Sequence, residues 1–380
     1  MENNNKLNDI KEFNDVIFSS TISKHYQNII FIYTPPKVGS TALVSSLRLS
    51  CSDKFLTIHV HDEKMLSILT GNDNKKGITI NDIIKYNAFL GKNVFIIDVY
   101  RNPIERKMSE YFELISNFHF NNSDENLIKY DLNLLINRFN KLFPYIGNGD
   151  YFFDKYELSI LIPENFDFEN GFLYIKNNNI NYIKLRLCDS NRWGSILSNI
   201  LKTEIIIIPD YKTENKIIGE LYQQFKKIYK IPENFLENIT KCNYFNYYNS
   251  DREKDVYLKY WNSMKTKTFQ AFNENEYKLY MEITSENQYN NFIQRNHYLD
   301  FGCICRSCFY KRKQIINKLK RGENVNLKIV HEEVVAEKKM SKMKEFVRVN
   351  RSYQQSNAKL RSTYRNRGTD FSISGILHRP

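Results

Sequence analysis

No stretch of this chain approaches the ~18–20 consecutive apolar residues that a membrane helix requires. The opening Met1-Glu2-Asn3-Asn4-Asn5-Lys6 lacks the apolar core of a signal peptide. The expectation is a soluble, cytoplasmic protein with no membrane span. Cysteine is scarce too, six in 380 residues, and Cys51, Cys188 and Cys242 are scattered. In an intracellular chain that usage excludes a disulfide framework, and these three read as plain thiols.

Acidic charge is short in one region only. From Phe301 to Pro380, 19 Lys and Arg face 6 Asp and Glu, whereas the first 300 residues carry 36 against 37. The whole formal excess of +12 thus belongs to the C-terminal tail. Such a tail suits nucleic acid or another polyanion; a solvated extension is the plainer reading. The length allows a sizeable core and more than one domain. The expected division is an N-terminal extension (1–24), a catalytic α/β domain (25–275), a helical basic extension with a Cys cluster (276–350) and a disordered tail (351–380).

What the chain does have begins with Ile29-Ile30-Phe31-Ile32-Tyr33-Thr34-Pro35-Pro36-Lys37-Val38-Gly39-Ser40-Thr41. An apolar strand meets a Pro-Pro break, then a Lys-x-Gly-Ser-Thr turn, then residues that start a helix. Free amides at a helix N-terminus bind anions, and a glycine lets the backbone come close. A phosphate-like group is expected there. The ordinary nucleotide loop is a poor fit, because its Lys follows the second Gly, whereas Lys37 precedes the loop's one glycine.

A second strand, Asn93 to Tyr100, runs into Arg101-Asn102-Pro103-Ile104-Glu105-Arg106-Lys107-Met108-Ser109. Pro103 suits a first helical turn and Asn102 an N-cap. Arg101 at the strand end and Ser109 about two turns on suit one phosphate, the arginine by a bidentate fork. Arg106 either assists or lies on a solvated face, the second being the plainer reading. Further strands are expected at Phe55–His61, Phe172–Ile175, Tyr182–Leu187 and Glu204–Ile208, with the second and third of the set pairing as a hairpin across an Asn-rich turn. Helices are expected at Thr41–Leu49, Met65–Leu69, Leu127–Leu142 and Lys216–Tyr229, and a turn at Gly71–Asn74. Alternating strands and helices imply a mainly parallel, three-layer α/β sheet, with ligands at the strands' carboxyl ends.

The two loops together resemble the cofactor signatures of the sulfotransferases that use 3′-phosphoadenosine 5′-phosphosulfate (PAPS). In that family a Pro-Lys-x-Gly-Thr-Thr/Ser loop holds the 5′-phosphosulfate. An Arg, with a Ser eight residues later, holds the 3′-phosphate. Pro36-Lys37-Val38-Gly39-Ser40-Thr41 and Arg101-Asn102-Pro103 with Ser109 match, apart from Ser40 for the first Thr and Asn102 for the usual Asp. The chain is most similar to the branch described as capsular polysaccharide synthesis proteins. The shared features are Lys-Val-Gly-Ser, His59-Val60-His61 and the Arg-x-Pro-x-x-Arg-x-x-Ser helix. Phe153–Tyr156, Phe166-Asp167 with Gly171-Phe172, and Arg186–Asp189 are similar too. The resemblance spans roughly residues 25 to 265 and implies a P-loop-like sulfotransferase fold with PAPS as co-substrate and a glycan hydroxyl as acceptor. Lys37 would then stabilise charge on the leaving phosphate and the moving sulfuryl group. Gly39, Ser40 and Thr41 would serve the 5′ end, and Arg101 and Ser109 the 3′-phosphate.

The acceptor hydroxyl then needs a base, and a neutral imidazole serves near pH 7. His59 and His61 lie on one face of their strand by alternation; His61, nearer its end, is preferred and His59 comes second, with Asp62 to orient a ring. For each, a packing role is the alternative. No metal is demanded by this chemistry. Separately, His297, Cys303, Cys305 and Cys308 make four ligand types for a structural zinc, set against free thiols. Lys311-Arg312-Lys313 and Lys318–Arg321 read as an exposed basic helix. Two other function classes stay open: a kinase-like nucleotide binder, and a nucleic-acid or scaffold protein that keeps a degenerate fold.

Overall fold

The computed structural model describes residues 2–18, 26–63, 65–66, 77–113, 115–145, 149–156, 158, 161–208, 217–285 and 306–325. The chain divides into two units, Met1–Ile316 and Asn317–Pro380. All that follows concerns the first, apart from the helix Arg306–Lys320, which crosses the boundary. The expected turn at 71–74, most of the 65–69 segment and the tail from 351 lie outside the described residues.

A helix α1 (Glu2–Ile17) precedes strand β1 (Asn28–Tyr33), helix α2 (Ser40–Cys51) and strand β2 (Phe55–Val60). Then come α3 (Ile80–Phe89), β3 (Asn93–Tyr100) and α4 (Pro103–Glu113). The sheet is completed by β4 (Phe172–Asn177) and β5 (Ile180–Arg186), in the order β2-β1-β3-β5-β4. β1 pairs in parallel with β2 and β3, and β3 in parallel with β5; only the edge strand β4 is antiparallel, joined to β5 as the expected hairpin. This is the mainly parallel sheet that the alternating pattern implies.

Alternation along β1 sorts the layers. Ile30 and Ile32 face a cluster with Leu43, Leu47, Trp193 and Leu197, whereas Ile29, Phe31 and Tyr33 face one with Phe13, Ile83 and Phe152. With side chains pointing alternately to opposite faces, a strand this apolar must be covered twice. The first residues, expected as an extension, supply part of that cover, since Phe13 and Ile17 of α1 are core residues. A third cluster is helical. Ile104, Met108, Tyr111 and Phe112 of α4 pack there with Phe139, Phe225 and Trp261.

Two elements differ from expectation. The apolar run Glu204–Ile208 is not a strand: the amides of Ile205, Ile206 and Ile208 donate to the hydroxyls of Ser198, Ser50 and Ser46. Helix side chains take the place of a strand partner. The helix expected over Leu127–Leu142 is broken into Asp124–Leu127 and α5 (Leu132–Leu142). Asp131 caps the second piece, its carboxylate accepting from the Asn133 amide at 3.0 Å.

Candidate functional site

β1 and β3 are neighbours in register, Ile29 opposite Val94 and Ile32 opposite Ile97. Parallel neighbours end on the same side, so the loops after β1 and β3 emerge side by side. They touch. Nη1 of Arg101 donates to the Lys37 carbonyl at 2.7 Å. Lys37 has φ 65°, in the left-handed region that costs a non-glycine residue about 1–2 kcal/mol. Gly39 follows at φ 91° as the N-cap of α2. A Cβ there would lie 3.1 Å from both Leu187 and Trp193, so conformation and space both call for glycine. Ser40 is buried at the first position of α2, and Thr41 is half-buried beside it.

Helix α4 presents its second face to this loop. Residues three and four apart share a helix face, so Arg106, Ser109, Glu110 and Glu113 line one stripe, opposite the apolar residues that enter the helical cluster. The Nζ of Lys37 meets Oε2 of Glu113 on that stripe at 2.9 Å, both side chains being partly exposed. Ser109 is buried one turn before Glu113. Arg106 is buried as well and donates from Nη1 to the Gly149 carbonyl at 3.0 Å; the solvated-face reading of Arg106 is overturned. Its Nε, and Oε2 of Glu110, are buried with no hydrogen-bond partner among the described residues. Burial raises the Glu110 carboxyl above the usual range, against the pull of Arg106, Lys107 and Lys37.

The two histidines stand at the end of β2. Their rings meet edge to face with centroids 4.6 Å apart, as alternation predicts. His59 is buried within the strand, and His61 is the first residue beyond it. Nδ1 of His61 lies 2.7 Å from the Thr34 carbonyl. A carbonyl only accepts, so Nδ1 carries the proton and Nε2 holds the lone pair when the ring is neutral. Burial lowers the His61 pKa first of all; the Thr34 carbonyl and Asp62 oppose this, and Lys37 and Arg106 add to it. The ring is thus a neutral base near pH 7. The orienting group is the Thr34 carbonyl and not Asp62, whose Oδ1 accepts from the Met65 amide at 2.7 Å.

Beneath the site lies a buried ionic cluster. Asp98 of β3 and Lys184 of β5 are register partners, both fully buried, with Nζ 2.8 Å from Oδ2. Asp150 contacts the same ammonium. The Thr34 hydroxyl donates to Oδ1 of Asp98 at 2.7 Å and accepts from the Val99 amide at 3.0 Å. Burial raises the Asp98 carboxyl above the usual carboxylate range, Lys184 pulling it down and Asp150 raising it further. The cluster therefore fixes Thr34, and Thr34 fixes His61. None of Asp98, Asp150, Lys184 or Glu113 was expected as part of the site. The signal that marks the first and third is a charge of opposite sign set between apolar neighbours in each of two strands, Ile97-Asp98-Val99 and Ile183-Lys184-Leu185.

His297, Cys303 and Cys305 lie outside the described residues; Cys308 is in the helix Arg306–Lys320, its side chain likewise outside. Among the described residues no group of three or more Cys, His, Asp and Glu could hold a metal ion. Cys51, Cys188 and Cys242 are free thiols, the first buried. No helix among the described residues is long and apolar enough to cross a membrane. Compared with known proteins, the chain matches no family model, no curated protein and no solved structure.

Proposed function

We propose that this chain is a PAPS-dependent sulfotransferase that moves a sulfuryl group to a hydroxyl of a carbohydrate. The observation that carries the reading is the contact between its two anion loops, Arg101 to the Lys37 carbonyl, at the ends of adjacent parallel strands. One loop offers an ammonium and a helix N-terminus; the other offers a guanidinium and a serine on the following helix. Two separated phosphate groups on one nucleotide fit that pair better than one phosphate chain does. The carbohydrate acceptor follows from the resemblance to the capsular polysaccharide branch.

In this reaction His61 Nε2 takes the proton of the acceptor hydroxyl. The hydroxyl oxygen bonds to sulfur as the bond from sulfur to the 5′-phosphate oxygen breaks, giving a sulfate ester and 3′-phosphoadenosine 5′-phosphate (PAP). Lys37 faces the charge that grows on the leaving oxygen. Positioning and charge stabilisation do most of the work, by analogy with phosphoryl transfer. The test is calorimetric titration of PAP into the chain and into Arg101→Ala, with ADP as control. We expect PAP to bind the wild type and not the variant, and ADP to bind weakly. Absence of PAP binding by folded wild type refutes the reading.

A further inference from the structure

The charge around Lys37 is unusual for an anion site. Its ammonium is not left open but sits 2.9 Å from the Glu113 carboxylate, and Glu110, one turn earlier on the same stripe, also acts on it electrostatically. A carboxylate at that distance occupies one donor direction of the ammonium, and any phosphate or sulfate approaching Lys37 meets its repulsion. The pair is partly exposed on both sides, so it is weak enough to be exchanged. A fully buried pair would not be.

We propose that Glu113 is a positioning residue for the anion site: it holds the Lys37 side chain in place while the site is empty and gives the ammonium up when the 5′-phosphate of the nucleotide arrives. The inference rests on the nucleotide reading above. α4 makes the exchange coherent, because the helix that carries Glu113 also carries Ser109, on the same face. A nucleotide that engages Ser109 and Lys37 together thus runs along this stripe from Ser109 to the ammonium that Glu113 holds, and Glu113 releases that ammonium to it. The device keeps a long, flexible lysine from wandering in the empty site, at the cost of some affinity.

The experiment compares Glu113→Gln with wild type for two probes, PAP and adenosine 3′-monophosphate, which lacks the 5′-phosphate. The amide keeps the shape and removes the competing charge. We expect Glu113→Gln to bind PAP roughly three- to tenfold more tightly, with affinity for adenosine 3′-monophosphate unchanged. Glu113→Asp, whose shorter carboxylate stands back from the ammonium, should give a smaller gain in the same direction, and it serves if the amide variant fails to fold. Equal PAP affinity in wild type and variant overturns the positioning role alone. A fall in affinity for both probes makes Glu113 merely structural and overturns it too. If neither protein binds either probe, the nucleotide reading fails and this inference with it.

Discussion

Lys37 and Lys184 both hold carboxylates near the carboxyl ends of the central strands, yet they are built for opposite purposes. Lys184 lies between Asp98 and Asp150 with no exposure, its partners fixed further by Thr34, the Val99 amide and the Tyr248 hydroxyl. Lys37 is itself a left-handed loop residue and reaches the Glu113 carboxylate across partly open space. In the first case desolvation makes each charge depend on the others, so the group behaves as one part of the scaffold. In the second, solvent shares the load and the partner is replaceable. The same side chain is a keystone in one place and a ligand-ready donor in the other, and burial alone separates the two.

The comparison breaks most clearly under one substitution made twice. Lys184→Met leaves two buried carboxylates facing each other, and should destabilise the fold by about 3–5 kcal/mol, read as a fall in urea midpoint. Adding Asp98→Asn should recover part of that loss, since the two sites share one network. If Lys184→Met melts like wild type, the cluster is no keystone.

A buried group with no counter-ion among the described residues sharpens the contrast from another side. His119 is buried, hydrogen-bonded through Nδ1 to the Tyr280 hydroxyl at 2.7 Å, and burial, with Arg138 nearby, lowers its pKa to about 3. The unfolded ring protonates near pH 6.5 and the folded one only near 3, so its contribution is present above pH 6.5 and lost as pH falls through that window. Between pH 7 and 5 the loss amounts to about 2 kcal/mol. His119→Phe should flatten the acid side of the stability profile by that amount; an unchanged slope would show that the ring does not stay neutral.

The smallest effect on stability is expected at the open site. Lys37→Met should change the urea midpoint by the equivalent of about 1 kcal/mol or less, while abolishing measurable PAP binding. A large stability loss there would erase the distinction between the two lysines.

Much of the architecture was legible because the parallel strands are covered on both faces and so read as apolar runs. β1, β3 and the β4–β5 hairpin appear where those runs and the Asn-rich turn place them. The two loops were legible because Pro, Gly and Arg at strand ends have few other uses. The run at 204–208 misled for a physical reason: apolarity reports burial, and only a neighbouring ladder makes a buried segment a strand. Leu127–Leu142 misled because a helical period continues across a cap without changing phase enough to show.

At the candidate site, the residues that stand out by type were visible, and those that join it by placement were not. Lys37, Gly39 and Arg101 announce themselves by spacing. Glu113 is an ordinary surface residue in sequence; it becomes part of the site only because α4 turns its polar stripe toward the loop after β1. Arg106 looked solvated because a charge on a helix usually is, and tertiary packing against Gly149 decided otherwise. Asp98 and Lys184 each look like a flaw in an apolar strand until the register sets them side by side.

The hydrogen bond from His61 to Thr34 has a use beyond orienting the ring. One ring nitrogen is tied through Thr34 to the charged floor of the sheet, while the other is the one that takes the acceptor's proton in the proposed reaction. The imidazole is therefore a two-ended gauge. In a nitrogen-15 spectrum its protonated signal would follow disturbances of the scaffold below, and its unprotonated signal would follow arrivals from above. A single side chain would then report separately whether a change has loosened the frame or altered what the frame holds.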